Sequence, residues 1–193
     1  MKKILIGSLV GAVIFFVWSM LAWTISPLHY HTFMYTPAQD SILKALEQNN
    51  VPTGAYLMPT VDNRTVGQYD PQYHKDMERV MEESKGKPMA TVYYLRDGYQ
   101  MGSMTFIRGF FFDFLATLAA SIILLPGMMA MRTFFGRWWL ALIVGLLISA
   151  SGPLIQFNWM GMPWNFTFDM VIDNFLNWAI IGLWFASYYK SKQ

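Results

Sequence analysis

The chain has 193 residues, of which 54% are hydrophobic, 17% aromatic and only 13% charged, about half the charged share of an ordinary soluble domain. It has no cysteine, which excludes disulfides, thiolate zinc sites and cysteine nucleophiles. A net charge of +2, with no basic stripe or run, gives no footprint for nucleic acid. The composition predicts an α-helical integral membrane protein, with four transmembrane helices and a small α/β extracytoplasmic domain between the first and second. The expected division is residues 1–28 as transmembrane helix 1, 29–103 as the extracytoplasmic domain and 104–193 as transmembrane helices 2 to 4.

Residues 4–25 carry no charge and, as a helix, span roughly 33 Å, which matches the hydrocarbon core. Lys2 and Lys3 before an apolar run also describe a signal peptide. The length of the run, with no small-x-small pattern after Trp23, favours an uncleaved signal anchor. Gly7 and Gly11 form a G-x-x-x-G that permits close helix approach, either within the protein or between two copies. His29 and His31 alternate just beyond the span, so an extended backbone would turn both rings to one side, as a metal site requires. Met34, His74, Met160 and Met162 are further donors of the kind that suits Cu(I). The plainer reading is a pair of interfacial histidines beside Tyr30, and no metal or cofactor is assigned.

The next segment is ordinary in polarity. Thr36, Pro37 and Gln39 supply a helix start, so the pattern predicts a helix over 37–48 that buries Ala38, Ile42, Leu43 and Leu46. Asp70 and Pro71 repeat the start signal, and Tyr73, Met77, Val80 and Met81 recur at helical spacing up to Gly86, a left-handed stop. Aromatic and β-branched runs at 54–58 and 89–95 predict strands, the second ending in the turn residues Arg96, Asp97 and Gly98. The result is an α-β-α-β unit with a loop at 60–68. It is near the lower size limit for an independent core and is expected to lean on the membrane helices or a partner.

Residues 104–131, 138–157 and 166–189 each reach the spanning length. Lys2, Lys3, Arg132, Arg137, Lys190 and Lys192 all fall on one side of the four spans, which predicts both termini cytoplasmic and 29–103 outside. Trp138, Trp139, Trp159, Trp164, Tyr188 and Tyr189 sit near span ends, where amphipathic rings favour the interface. The Met-Lys-Lys start suggests a bacterial inner membrane, with the large loop periplasmic. Asn63-Arg-Thr65 and Asn165-Phe-Thr167 match the glycosylation sequon by chance on this reading.

Polar side chains inside spans are costly and therefore informative. In the fourth span Asp169, Asp173 and Asn177 recur at helical spacing with Asn174 beside them, making one face polar. In the second, Gly109, Asp113, Ala116, Thr117 and Ala120 form a small and polar stripe, while Phe110, Phe111, Phe112 and Leu115 can face lipid. Counted from the outer ends, Arg108 lies level with Asp169 and Asp173, and Asp113 with Asn174 and Asn177, so the two faces are expected to meet. Arg108 would then pair with Asp169 or Asp173, or reach lipid phosphate instead. Such a cluster is either a proton or ion site or a set of interhelical contacts that orients the bundle. Ala141, Gly145, Ser149 and Gly152 form a small-residue packing line in the third span.

The chain contains no G-x-S-x-G, H-E-x-x-H, G-x-x-x-x-G-K-[ST] or G-x-G-x-x-G, and no enzymatic activity is expected. The sequence therefore reads as a binding, assembly or accessory subunit of an envelope membrane complex. Its expected partners are the lipid bilayer and other membrane proteins or itself. The alternative is a small ion- or proton-coupled transporter using the polar face of the second and fourth spans.

Overall fold

The computed structural model describes residues 1–190 other than 63, 65, 66 and 68. Lys192, the sequon at 63–65 and much of the 60–68 loop lie outside the described residues. Four helices are long and apolar enough to cross a membrane. They are α1 (Lys2–Thr24), α4 (Ser103–Ala130), a composite helix over Phe134–Met160 and α7 (Trp164–Tyr188). Between α1 and α4 in the chain come α2 (Gln39–Gln48), β1 (Gly54–Met58), α3 (Pro71–Glu83) and β2 (Ala90–Tyr94). The chain separates into two compact units, residues 36–100 and the remainder.

In the helical unit, α1 ends where Ser26 and Pro27 open a single 3-10 turn, Pro27–His29, and the Ser26 hydroxyl caps it by accepting from the Leu28 amide (3.1 Å). Pro126 lies near the end of α4, and Met131 follows in extended conformation. Thr133 caps α5 (Phe134–Ser149) by accepting from the Gly136 amide (3.1 Å). The composite helix then passes through a π turn at Ala150–Leu154. Pro153 lies in this turn and has no N–H to serve the regular helical ladder. The last segment, α6 (Ile155–Met160), stops at Gly161, whose φ of +63° places it in the left-handed region that a glycine adopts at no steric cost.

The most extensive helix contacts are α5 with α7 and α1 with α4; α1 also packs on α7. The core of this unit joins Ala120, Leu124 and Met128 of α4 to Ala141 of α5 and to Trp178, Ile181 and Phe185 of α7, with Tyr189 just beyond. Glycines set these approaches. A Cβ on Gly7 would overlap the Tyr189 hydroxyl, and one on Gly11 would fall 3.1 Å from Phe185 and 3.3 Å from Thr117. The G-x-x-x-G of α1 is thus occupied within the chain, by α7 and α4. Gly145 lies against Trp178 and the Asn174 carbonyl, Gly182 lies against Ala141 and Trp138, and Ser149 donates to the Val171 carbonyl (3.4 Å).

In residues 36–100, β1 and β2 pair antiparallel from Gly54 with Tyr94 to Met58 with Ala90, and the Arg96 amide donates to Thr53 Oγ1 (3.0 Å) beside the pair. Asp70 caps α3 as its spacing predicts, accepting from the Gln72 amide (2.8 Å) with Pro71 at the first position. Gly86 and Gly98 both take positive φ. The first helix begins at Gln39 rather than at residue 37, because Thr36 closes a turn through residues 37 and 38. Its carbonyl accepts from Gln39 and its hydroxyl from Ala38. The expected buried face is also corrected. Ala38, Ile42 and Leu43 are exposed and Leu46 is half-buried, because two strands and two short helices offer too little surface to cover it.

Candidate functional site

The polar face of α7 is met by α1 and by the segment that follows it. Asp173 Oδ1 accepts from the Trp18 indole (2.7 Å), and Asp169 Oδ2 accepts from the Thr32 hydroxyl (2.6 Å). Between them lies His29, buried with 9% of its surface exposed. Its Nδ1 is 3.1 Å from Thr32 Oγ1, and its Nε2 is 3.3 Å from Asp173 Oδ2, within ion-pair range but without hydrogen-bond geometry. The Trp23 ring stacks on the imidazole at 3.8 Å, with 5° between the planes. Asn165 Nδ2 donates to the His31 carbonyl (2.7 Å) and fastens the same segment from α7. Local sequence explains the placement: the Ser26-Pro27 turn ends α1 and carries residues 29–32 back across the end of α7.

This arrangement differs from the expected meeting of α4 and α7. Arg108 is exposed, and its Nε donates to the Met104 carbonyl of its own helix (3.3 Å). It makes no ion pair with Asp169 or Asp173 among the described residues. The reason is that α1 packs against both helices, so the α4 stripe faces α1. Gly109 lies under Phe16, Phe110 packs edge-on to Phe16 (5.9 Å) rather than facing outward, and Thr117 donates to the Ser8 carbonyl (2.9 Å). Asp113 and Asn174 are half-buried. Asn177 is buried, and its Oδ1 has no hydrogen-bond partner among the described residues. His29 and His31 diverge: the 3-10 turn buries the first, whereas the second is exposed beside Tyr30. No group of three His, Asp or Glu side chains placed to hold a metal forms among the described residues.

Two further polar loci went unflagged in the sequence. Ser8 Oγ donates to the Ile4 carbonyl (2.8 Å) and also lies 3.0 Å from Ser121 Oγ, which accepts from the Tyr189 hydroxyl (2.7 Å). This hydroxyl set joins α1, α4 and the end of α7. Arg137 is buried and donates to the Ala186 carbonyl (2.6 Å) and the Met131 carbonyl (3.0 Å). Both carbonyls belong to helix C-terminal ends, where acceptors lack an intrahelical donor. On the α7 face itself, the spacing that gives Asp169, Asp173 and Asn177 continues to Ile181 and Phe185, both fully buried. The polar face therefore ends inside an apolar core.

Comparison with known family models, curated proteins and solved structures finds no match to this chain.

Proposed function

We propose that this chain is an assembly or accessory subunit of a membrane complex and binds its partner through residues 36–100. The observation that carries the reading is the state of the two amphipathic helices in that unit. Neither α2 nor α3 has a buried residue, and Ile42, Leu43 and Met81 are 48%, 54% and 65% exposed. Amphipathic faces left uncovered in this way mark interaction surfaces. The four long apolar helices support a multi-pass membrane location. The segregation of Lys and Arg supports an inner-membrane orientation with both termini cytoplasmic and residues 29–103 periplasmic.

The competing reading, an ion- or proton-coupled transporter, draws on Asp169, Asp173 and Asn177. The closure of that face by Ile181 and Phe185 favours assembly, because a transport path must continue through the bundle.

The test is purification in mild detergent with cross-linking and mass spectrometry, comparing the natural chain with the Ile42→Ser/Leu43→Ser variant. Assembly predicts a defined partner, a second copy included, that is retained by the natural chain and lost from the variant. A strictly monomeric protein, or partners that the variant retains in full, would overturn it. Orientation is checked by fusing an externally active phosphatase after Asn50, where activity is expected, and after Arg137, where none is.

A further inference from the structure

We propose that His29 and Asp173 form a proton-binding site that fastens residues 27–33 to α7 while the proton is held. The Thr32 hydroxyl has one hydrogen and gives it to Asp169 Oδ2, so toward His29 it acts as an acceptor, and the Nδ1 facing it carries a hydrogen. A neutral imidazole would then have a bare Nε2. That atom is buried, has no hydrogen-bond partner among the described residues, and lies 3.3 Å from the Asp173 carboxylate. An electron-rich nitrogen would then lie against an anionic oxygen, which is a repulsive contact. One more proton removes the conflict: an imidazolium keeps its Nδ1 hydrogen on Thr32 Oγ1 and sets its positive charge within ion-pair range of Asp173.

The surroundings favour the same state. Asp173 Oδ1 is engaged by the Trp18 indole, which can only donate, so that oxygen is held as an acceptor and the carboxylate is supported in its charged form. Trp23 lies flat against the ring, the arrangement in which an indole face attracts a cation. Among the described residues no Lys or Arg pairs with His29, Asp169 or Asp173. From α1 comes Trp23, stacked on the ring, with Trp18 on the far side of Asp173, and the charged residues of that helix, Lys2 and Lys3, are at its far end. From α7 come Asp169 and Asp173, and from its own segment Thr32, while His31 and Tyr30 are exposed. The site thus sets one imidazolium between two carboxylates, and losing the proton turns its central attraction into a repulsion.

The test is nitrogen NMR of the full chain in lipid bilayers, with labelled histidine and the His29 signal assigned by its loss in His29→Gln. Near neutral pH both His29 ring nitrogens are expected to carry hydrogen. Asp173→Asn keeps an acceptor for Trp18 and places an amide donor where the carboxylate oxygen stood, so it is expected to return one bare nitrogen. A bare Nε2 in the natural chain, or two N–H groups persisting in Asp173→Asn, would overturn the proposal. Because the chain has no cysteine, a spin label at Tyr30→Cys gives an independent reading without altering the site. Its motion is expected to be restricted while the proton is held and freer once alkaline pH removes it. Mobility that stays constant from about pH 6 to about pH 10 would overturn the fastening role.

Discussion

In the helical unit Trp178, Ile181, Phe185 and Tyr189 are wholly buried, whereas in residues 36–100 Tyr94 is the only buried residue among those described. Both regions contain helices with apolar surface, on every side of the long ones and on one face of α2 and α3. The long helices find complementary faces on one another and interlock through Gly7, Gly11, Gly145 and Gly182. The short ones leave Ile42, Leu43 and Met81 uncovered. A chain of this size can build one well-packed core from four long helices, but two strands and two short helices cannot build a second.

Substitutions in the two regions should therefore differ in kind, and the largest effect belongs to the core. Trp178→Ala removes the largest fully buried side chain and is expected to destabilise the helical unit by about 3 kcal/mol. Equilibrium unfolding in mixed micelles measures it, and a loss below about 1 kcal/mol would show that the bundle repacks freely. Gly182→Val comes next. A Cβ there would lie 2.7 Å from the Ala141 Cβ and 2.9 Å from Trp138, so α5 and α7 must part, at an expected loss of about 2 kcal/mol in the same assay.

Ile42→Ser/Leu43→Ser should shift unfolding by less than about 0.5 kcal/mol, since both positions are exposed, while abolishing partner retention. A large loss of stability instead would mean that these residues support the fold, and the comparison between the units would fail. The smallest effect is expected at Asp62. Its carboxyl is held down at about 2, first by the side-chain hydrogen bonds from Arg64, then by the Arg64 amide. Arg64→Gln should return the titration toward the ordinary 3.8, read by carboxyl NMR. Because the folded-state value is depressed, any stability from this contact is present above the ordinary value and fades as pH falls toward about 2. Both groups are exposed, so thermal unfolding at neutral pH should not change.

Much of the fold follows from local signals. A short aromatic run places β1 at the residues it occupies, Asp70 and Pro71 open α3, and long apolar runs locate the four long helices. The site was legible only on one side. Asp169, Asp173 and Asn177 stand out because charge and amide are costly among apolar residues. Depth counting put Arg108 at their level, but depth does not say which helix stands between two others, and here α1 does. Trp18 and Thr32 drew no notice because neither carries a charge. Arg137 was counted among the basic residues that set orientation, although its guanidinium is buried against carbonyls. The signal for the missing half was the Ser26-Pro27 turn, which ends the helix and carries His29 and Thr32 back over the bundle.

The position of α1 also bears on how the chain is made. Its sideways hydrogen bonds run to residues synthesised much later: Ser8 to Thr117 and Ser121, Trp18 to Asp173, Gly7 to Trp184, and Lys3 to Lys190. At roughly 5–20 residues per second, the first helix waits on the order of ten seconds for the last. A nascent chain halted before Trp164 can satisfy only the side of α1 that faces α4. The carbonyl of Gly7, the indole of Trp18 and the ammonium of Lys3 stay without these partners until α7 and the residues just after it are made.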